Sequence, residues 1–443
     1  MIRRFTACLT MLGIVVCAGL MIAAPALAQN EMFIPLLVYR TGPYAPNGIP
    51  IANGYIDYLK LLNARDNGIN GVKITWEECE TKYDTKLGVE CYEKLKNNGP
   101  TGAVLVNPYS TGITYQLIPK AAVDKIPLHS MGYGRTASAD GRVFEWAFNF
   151  PTTYWSQASA FVKYVGAQAG GVEKLKGKKI ALIYHNSPYG KEPIPTLEVL
   201  AKQFGYDLTL LAVDHPGQEQ KATWLQIRRY NPDWIFLWGW GVMNQVAIKE
   251  AAAINFPMDH FIGVWWSGSE SDVVPAGEGA KGYKAGNFHG IGTDFPVYQT
   301  ILKLVYNDDK TASAGNNFGE VLYNRGLINA VYDTEAIRMA MGKFGNKPLT
   351  GEQVRWGFEN LNLTEARLKE LGLEGFARPI QVTCADHEGN GPVFIQQWDG
   401  KQWKKVSDWI SPLQEVVRAQ IEQAAADYAK ENSITPRECP SKG

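Results

Sequence analysis

Between Val104 and Thr136 one pattern occurs twice, and it narrows the folds open to this chain. A short β-branched run at residues 104–106 ends in Asn107, Pro108, Tyr109, Ser110, Thr111 and Gly112; a second, at residues 126–129, ends in Ser130, Met131, Gly132, Tyr133 and Gly134. Residues 113–124 between them have a helical pattern. A strand, a crossover helix and a second strand make a parallel unit, and open parallel sheets bind ligands beyond the carboxyl ends of their strands. Both loops then face one crevice. Their hydroxyls, backbone N–H groups and helix N-termini suit a carboxylate or another small anion. Ordinary strand-to-helix turns share this composition, and the stretch alone does not separate the two readings.

The same alternation continues on both sides. Residues 33–39 read as a strand, followed by a loop containing Tyr44 and Asn47 and by a helix from about residue 49, whose Tyr55, Ile56, Tyr58, Leu59 and Leu62 form an apolar face. A strand at 72–76 and a helix at 86–96 complete the approach to the doubled pattern. After residue 150 a second set begins, with strands at 179–184, 208–213, 234–238 and 260–264 separated by helices at 195–204, 221–230 and 244–253. Strict alternation with right-handed crossovers predicts two doubly wound α/β domains. A long helical pattern at 317–344 follows a glycine-marked break, strands at 381–383 and 393–397 read as a hairpin through residues 386–391, and an amphipathic helix occupies 414–430. No low-complexity linker occurs, so the two domains are expected to exchange segments.

Residues 1–28 have the parts of a secretory signal peptide: Arg3 and Arg4, an apolar core at 9–24, and Ala26-Leu27-Ala28 before the cleavage point. Cys17 lies inside that core rather than at a lipidation site, and no later segment has the roughly 18 consecutive apolar residues of a membrane span. The expected mature chain is exported and soluble. Its length of about 415 residues is too great for one core and sufficient for two domains. Basic and acidic residues balance at 44 each with no basic run, which argues against a nucleic-acid partner. Once Cys8 and Cys17 leave with the signal, four cysteines face an oxidising compartment, and their spacing favours Cys79 with Cys91 and Cys384 with Cys439. A metal site is the competing reading, and there is no C-x-x-C to support it.

Signatures of catalysis are missing: no S-x-x-K, G-x-S-x-G, H-E-x-x-H or Walker A sequence occurs, and the one G-x-G-x-x-G, at 277–282, precedes a strand instead of following one. His129 and His185 end strands beside crevice loops, a position equally suited to a structural histidine. Aromatic residues are the positive signal. Tyr189, Trp238, Trp240, Trp265 and Trp266 fall at carboxyl ends of strands in the second domain, as Tyr44, Tyr109 and Tyr133 do in the first. Such rings prefer planar apolar guests, or else they plug the core at a hinge.

The element order, together with G-P-Y-A-P-N-G at 42–48, S-T-G at 110–112, S-M-G-Y-G at 130–134 and S-P-Y-G at 187–190, resembles the periplasmic substrate-binding proteins of branched-chain amino acid type ABC transporters. The resemblance covers essentially the whole mature chain. It implies two doubly wound Rossmann-like lobes joined by a three-crossing hinge, one lobe from 29–150 plus 288–380 and the other from 151–287 plus 381–443. It further implies a periplasmic monomer without catalysis, cofactor or metal, which closes on one small molecule and delivers it to a permease. The loops matching Ser110, Thr111, Gly112 and Thr114, and Ser130, Gly132, Tyr133 and Gly134, would hold the ligand carboxylate. Tyr44, Asn47 and Tyr109 would flank it, and Tyr189 and Trp240 would close over it from the other lobe.

One match fails. Where the amino-acid binders have a glutamate for the ammonium group, this chain has Gly263-Val264-Trp265-Trp266-Ser267-Gly268, with no carboxylate before Glu270. A buried ammonium without an acid costs several kcal/mol. A tryptophan face returns only about 0.5–2 kcal/mol to a cation and suits a neutral ring better. The expected ligand is therefore a carboxylate with an aromatic or other planar apolar body, with selectivity at Tyr189, Trp240, Trp265 and Trp266. Arg135 or Arg40 either reinforces the carboxylate end or is a surface charge. An amino-acid binder of the same family, an exported enzyme and a ligand-sensing module on the same frame are the alternatives.

Overall fold

Residues 31–38, EMFIPLLV, are buried along nearly their whole length, which requires a sheet covered on both faces. The computed structural model describes residues 30–389 and 391–440; the signal segment at 1–28 lies outside the described residues. Strand Glu31–Val38 pairs in parallel with Lys73–Glu80 on one side and bridges residues 103–107 on the other, through Phe33–Ala103 and Leu36–Asn107. Val106 then bridges Leu128, and Leu128–His129 pairs in parallel with Ala147–Phe148. The first crossover helix, Ala45–Asp66, starts earlier than the sequence pattern suggests, because Pro46 occupies its first turn, where no N–H is needed. Thr111–Asp124 likewise starts two residues early, at an extended Ser110 whose Oγ accepts from Ile113 N at 3.4 Å.

The second lobe holds a seven-stranded sheet in the order Trp403–Lys405, Phe394–Trp398, Lys284–Asn287, Phe261–Gly263, Trp234–Trp238, Lys179–His185, Asp207–Val213. Its five parallel strands repeat the order of the first lobe, each lobe placing its second strand outside its first. In both, the order reverses between the first and third strands, and at such a switch point the flanking loops diverge and open a crevice. The loops around Tyr44 and Ser110 leave one switch point; those around Tyr189 and Trp240 leave the other.

The chain passes between lobes three times, between Phe148 and Tyr154, between Asn287 and Pro296, and between Gln381 and Phe394. The third passage corrects the hairpin expected at 386–391. Ile380–Gln381 pairs with Asn362–Leu363, whereas Phe394–Trp398 pairs antiparallel with Lys284–Asn287 in the second lobe. The glycines there serve a lobe crossing, and the actual hairpin partner of Phe394–Trp398 is Trp403–Lys405. Helix Val321–Phe344 returns to the first lobe and packs along Ala45–Asp66, where a Cβ at Gly54 would fall 2.0 Å from Tyr323 O.

The tail also departs from its expected grouping with the second lobe. Helix Gln414–Glu431 begins there, with Leu413 N donating to Ser159 Oγ at 3.0 Å and Gln420 Oε1 accepting from Thr196 at 3.0 Å. It ends on the first lobe, where Tyr428 stacks on Phe144 at 4.6 Å and Glu422 accepts from Arg142. The apolar stripe Val417, Ile421, Ala425, Ala429 crosses both lobes because it continues for about three turns. Among the described residues no helix is long and apolar enough to cross a membrane.

Both expected disulfides form, Cys79–Cys91 across 12 residues and Cys384–Cys439 across 55. Loop closure removes more unfolded-state entropy for the longer loop, about 4 kcal/mol against roughly 3. Replacing Cys384 and Cys439 together by serine is therefore expected to lower the urea-unfolding free energy more than replacing Cys79 and Cys91. Equal losses, or none, would show that the tail closure does not constrain the unfolded chain.

Candidate functional site

Where the two switch points face each other, a cavity of about 260 Å³ is lined by Tyr44, Tyr83, Asp84, Thr85, Ser110 and Gly112 from the first lobe and His185, Ser187, Pro188, Tyr189 and His215 from the second. Two helices start at its wall. Ser110 caps Thr111–Asp124, and Asp84 caps Thr85–Leu95, its Oδ1 accepting from Leu87 N at 2.9 Å. Helix N-termini carry partial positive charge and unpaired N–H groups, which attract an anion. No lysine or arginine lines the cavity, so that attraction comes from backbone dipoles and hydroxyls.

Four of the residues singled out in the sequence, Tyr44, Ser110, Gly112 and Tyr189, line this cavity. Tyr44 OH meets His185 Nε2 at 3.0 Å across the lobes, and Tyr189 OH donates to Gly239 O at 2.8 Å. Thr111 lies just behind, its Oγ1 accepting from Gly134 N at 3.1 Å, while Thr114 and Ser130 share a 2.7 Å hydroxyl contact. These bonds fasten the two loops of the doubled pattern to each other. Tyr133 OH reaches Tyr39 OH at 3.0 Å, Tyr109 OH accepts from Asn329, and Asn47 donates to Ser271 of the other lobe at 3.4 Å.

The tryptophan pair is placed differently from the sequence expectation. Both indole N–H groups donate to Gly132 O, Trp265 at 2.8 Å and Trp266 at 2.5 Å. Trp265 lies flat on Tyr154, with Phe288 at its edge, and Trp266 sits between Tyr133 at 4.4 Å and Arg325 at 4.9 Å. Protein covers these rings, and their visible work is to latch one lobe to the other. Gly132 is needed there: its φ is +73°, and a Cβ would come within 2.9 Å of Trp266. Trp240 differs from the pair, since its indole N–H is buried and meets no acceptor among the described residues.

Neither arginine suggested by the sequence lines the cavity. Arg40 binds Glu78 and Asn53, and Arg135 lies over Tyr428 at 4.4 Å. A fully buried cation, Arg325, lies deeper, with 0% of its surface exposed. It donates to His289 Nε2 at 2.7 Å, Trp265 O at 3.2 Å and Asn287 Oδ1 at 3.1 Å, and it bonds no carboxylate. Burial pulls its pKa down to about 9, so it remains charged at neutral pH. The available signal was its position three and four residues from Leu322 and Val321 on the buried helix face.

The buried acids near the cleft are already engaged. Glu192, raised by burial, accepts from Thr136 and Tyr115 across the lobes. Glu270, pushed up to about 7 by burial, accepts from Val321 N at 3.0 Å; Asp272, pushed up to about 6 by burial, binds Asn244 and Ser269. Among the described residues no cluster of histidine, cysteine, aspartate and glutamate has the form of a metal site.

Burial, reinforced by His215, holds the His185 pKa down at about 4. The unfolded imidazole titrates near 6.5, so the unfolded chain binds the extra proton between about pH 6.5 and 4, and this contribution to stability is lost as pH falls through that window. The stability gap between wild type and His185→Asn is expected to narrow by up to about 2 kcal/mol from pH 7 to pH 5. Denaturant titrations at the two pH values measure it, and a pH-independent gap would exclude a buried neutral His185.

Residues 31–402 match the periplasmic binding protein family. Among solved structures, one described as an ABC transporter permease from the Pseudomonas fluorescens group is 44% identical, with a TM-score of 0.87 over 93% of this chain and 100% of that one. A branched-chain amino acid ABC transporter protein from Thermus thermophilus with bound valine is 20% identical, with a TM-score of 0.73 over 89% of this chain and 99% of that one. A solute-binding protein from R. palustris in complex with benzoate is 16% identical, with a TM-score of 0.66 over 86% of this chain and 97% of that one. No curated protein matches the chain.

Proposed function

The chain belongs to the periplasmic binding protein family and is a substrate-binding protein of an ABC transporter, not an enzyme; we propose that its ligand is a small carboxylic acid with an aromatic or other planar apolar body. The exported protein takes up the acid as a monomer in the periplasm, and its closed form hands the acid to a permease. The observation that carries this reading is the cavity wall, where Ser110 and Gly112 at the start of a 14-residue helix share the lining with Tyr44, Tyr83 and Tyr189 and, among the described residues, with no lysine or arginine. A carboxylate there accepts from a hydroxyl and from helix N–H groups, each charge-assisted bond contributing about 1.5–3 kcal/mol. The rings supply flat apolar surface. Arg325, deeper in the molecule and unpaired with any acid, adds positive potential to the same cleft. The benzoate-bound R. palustris protein supports the reading, since its fold accepts an aromatic acid.

An amino acid is the second reading, and Asp84 favours it. This carboxylate lines the same cavity, and its Oδ1 is held by Leu87 N while Oδ2 faces an ammonium group in that account.

A ligand that binds only the native state raises Tm by mass action. Benzoate-class acids are expected to stabilise the protein, Ser110→Ala to weaken them about tenfold, and Asp84→Asn, which removes a like charge from the cavity wall, to leave them equally or more tightly bound. Stabilisation by valine or leucine instead, abolished in Asp84→Asn, would replace this reading with the amino-acid one.

A further inference from the structure

Tyr83 enters the cavity from a backbone that bulky residues rarely adopt. Lys82 and Tyr83 have φ of +52° and +62°, in the left-handed region that favours glycine and strains a residue with a side chain. The loop is held in this shape from several directions. Thr81 N donates to Val38 O at 2.7 Å, Lys82 N to Glu80 Oε1 at 2.7 Å, and Tyr83 N to Thr81 Oγ1 at 3.1 Å. Cys79–Cys91 closes the base of the loop. Strain maintained by so many bonds points to a use for the side chain it aims.

That side chain divides the cleft. Its ring lies 4.8 Å from Tyr44, 5.1 Å from Tyr39 and 6.1 Å from Trp240, and it shares the cavity wall with Ser110 at the helix N-terminus. Tyr83 lines the 260 Å³ cavity while Trp240 does not, and the Trp240 indole, whose buried N–H has no hydrogen-bond partner among the described residues, packs against the Tyr83 ring. We infer that Tyr83 is a specificity-determining residue that limits the ligand to a single-ring acid, and that its removal extends the cavity toward Trp240 by the volume of the phenol ring and admits a longer acid. This rests on reading the cavity as the ligand site.

Tyr83→Ala and Tyr83→Phe in the mature protein test it by calorimetry with benzoate and biphenyl-4-carboxylate. Wild type and Tyr83→Phe are expected to prefer benzoate at least tenfold. Tyr83→Ala is expected to bind the biphenyl acid at least tenfold more tightly than wild type and benzoate several-fold more weakly. Parallel changes for both acids in Tyr83→Ala overturn the inference. If wild type binds amino acids and no aromatic acid, the ligand class above is wrong, and the size limit is read from alanine against phenylalanine: a selective gain for phenylalanine in Tyr83→Ala sustains it, and no selective gain overturns it. A ligand-free measurement stands beside these. Acrylamide quenching of tryptophan fluorescence should rise in Tyr83→Ala and not when Trp240 is also phenylalanine; an equal rise in both backgrounds, or none, overturns the inference.

Discussion

A guanidinium sealed from water with no carboxylate against it is a costly group, and the centre of this molecule is arranged around it. Removing such a charge from solvent costs several kcal/mol unless its donors and its field are answered. Arg325 gives its N–H groups to His289, Trp265 O and Asn287, and lies 4.3 Å from the Phe288 ring and 4.9 Å from that of Trp266. These partners come from the hinge, from a loop of the second lobe and from the end of its last parallel strand. His289 must be neutral to accept from an arginine, and burial together with the Arg325 charge pushes its pKa well down. Its other nitrogen, Nδ1, then carries the proton to Gly290 O at 3.0 Å. Asn287 is oriented in turn by Gln396, whose amide also donates to Gly268 O. The antiparallel strand Phe394–Trp398 thus belongs to the same network, and the charge is fully satisfied only when both lobes are assembled around it.

The cleft consequently has a graded polarity. At its mouth the positive potential is that of helix ends, with Asp84 already answering one of them; behind the aromatic layer it is that of a whole cation. The acids that could oppose it are tied down by Val321 N, Asn244, Ser269, Tyr115 and Thr136. Two of these five partners, Tyr115 and Thr136, reach across to Glu192, so the acids serve lobe contact as much as charge balance.

The alternation of strands and helices was legible in the sequence because apolar periodicity survives in most of the longer elements, and parallel topology then dictates which loops share a crevice. Tyr44, Ser110, Gly112 and Tyr189 were found in this way, each lying just beyond a strand end. Tyr83 lies beyond a strand end too, but a left-handed turn at lysine and tyrosine has no compositional mark, unlike one at glycine. Trp265 and Trp266 were located correctly along their strand, yet what covers their faces is decided by lobe closure, which no local pattern encodes. The error at residues 386–391 has a similar cause: glycines mark a turn, but Phe394–Trp398 takes its partner from Lys284–Asn287, a strand remote in the chain. Arg325 was hidden by its neighbours, one of five charged residues in a helix read for its apolar residues.

The tail helix changes the mechanics of the two lobes. Between Gln420, bonded to Thr196, and Tyr428, stacked on Phe144, the helix spans about 12 Å and does not stretch. Its far end is anchored by Arg437 to Gly141 O and by Cys439 to Cys384. Three peptide crossings alone form a flexible leaf. A rigid rod laid over them, docked on both sides, acts as a splint that resists any opening that drives its two docking patches apart while leaving rotation about its own axis comparatively free. Any opening of the jaws would therefore have to proceed as a twist around Gln414–Glu431, or one patch would first have to let go, so residues remote in sequence from the cavity would select the path.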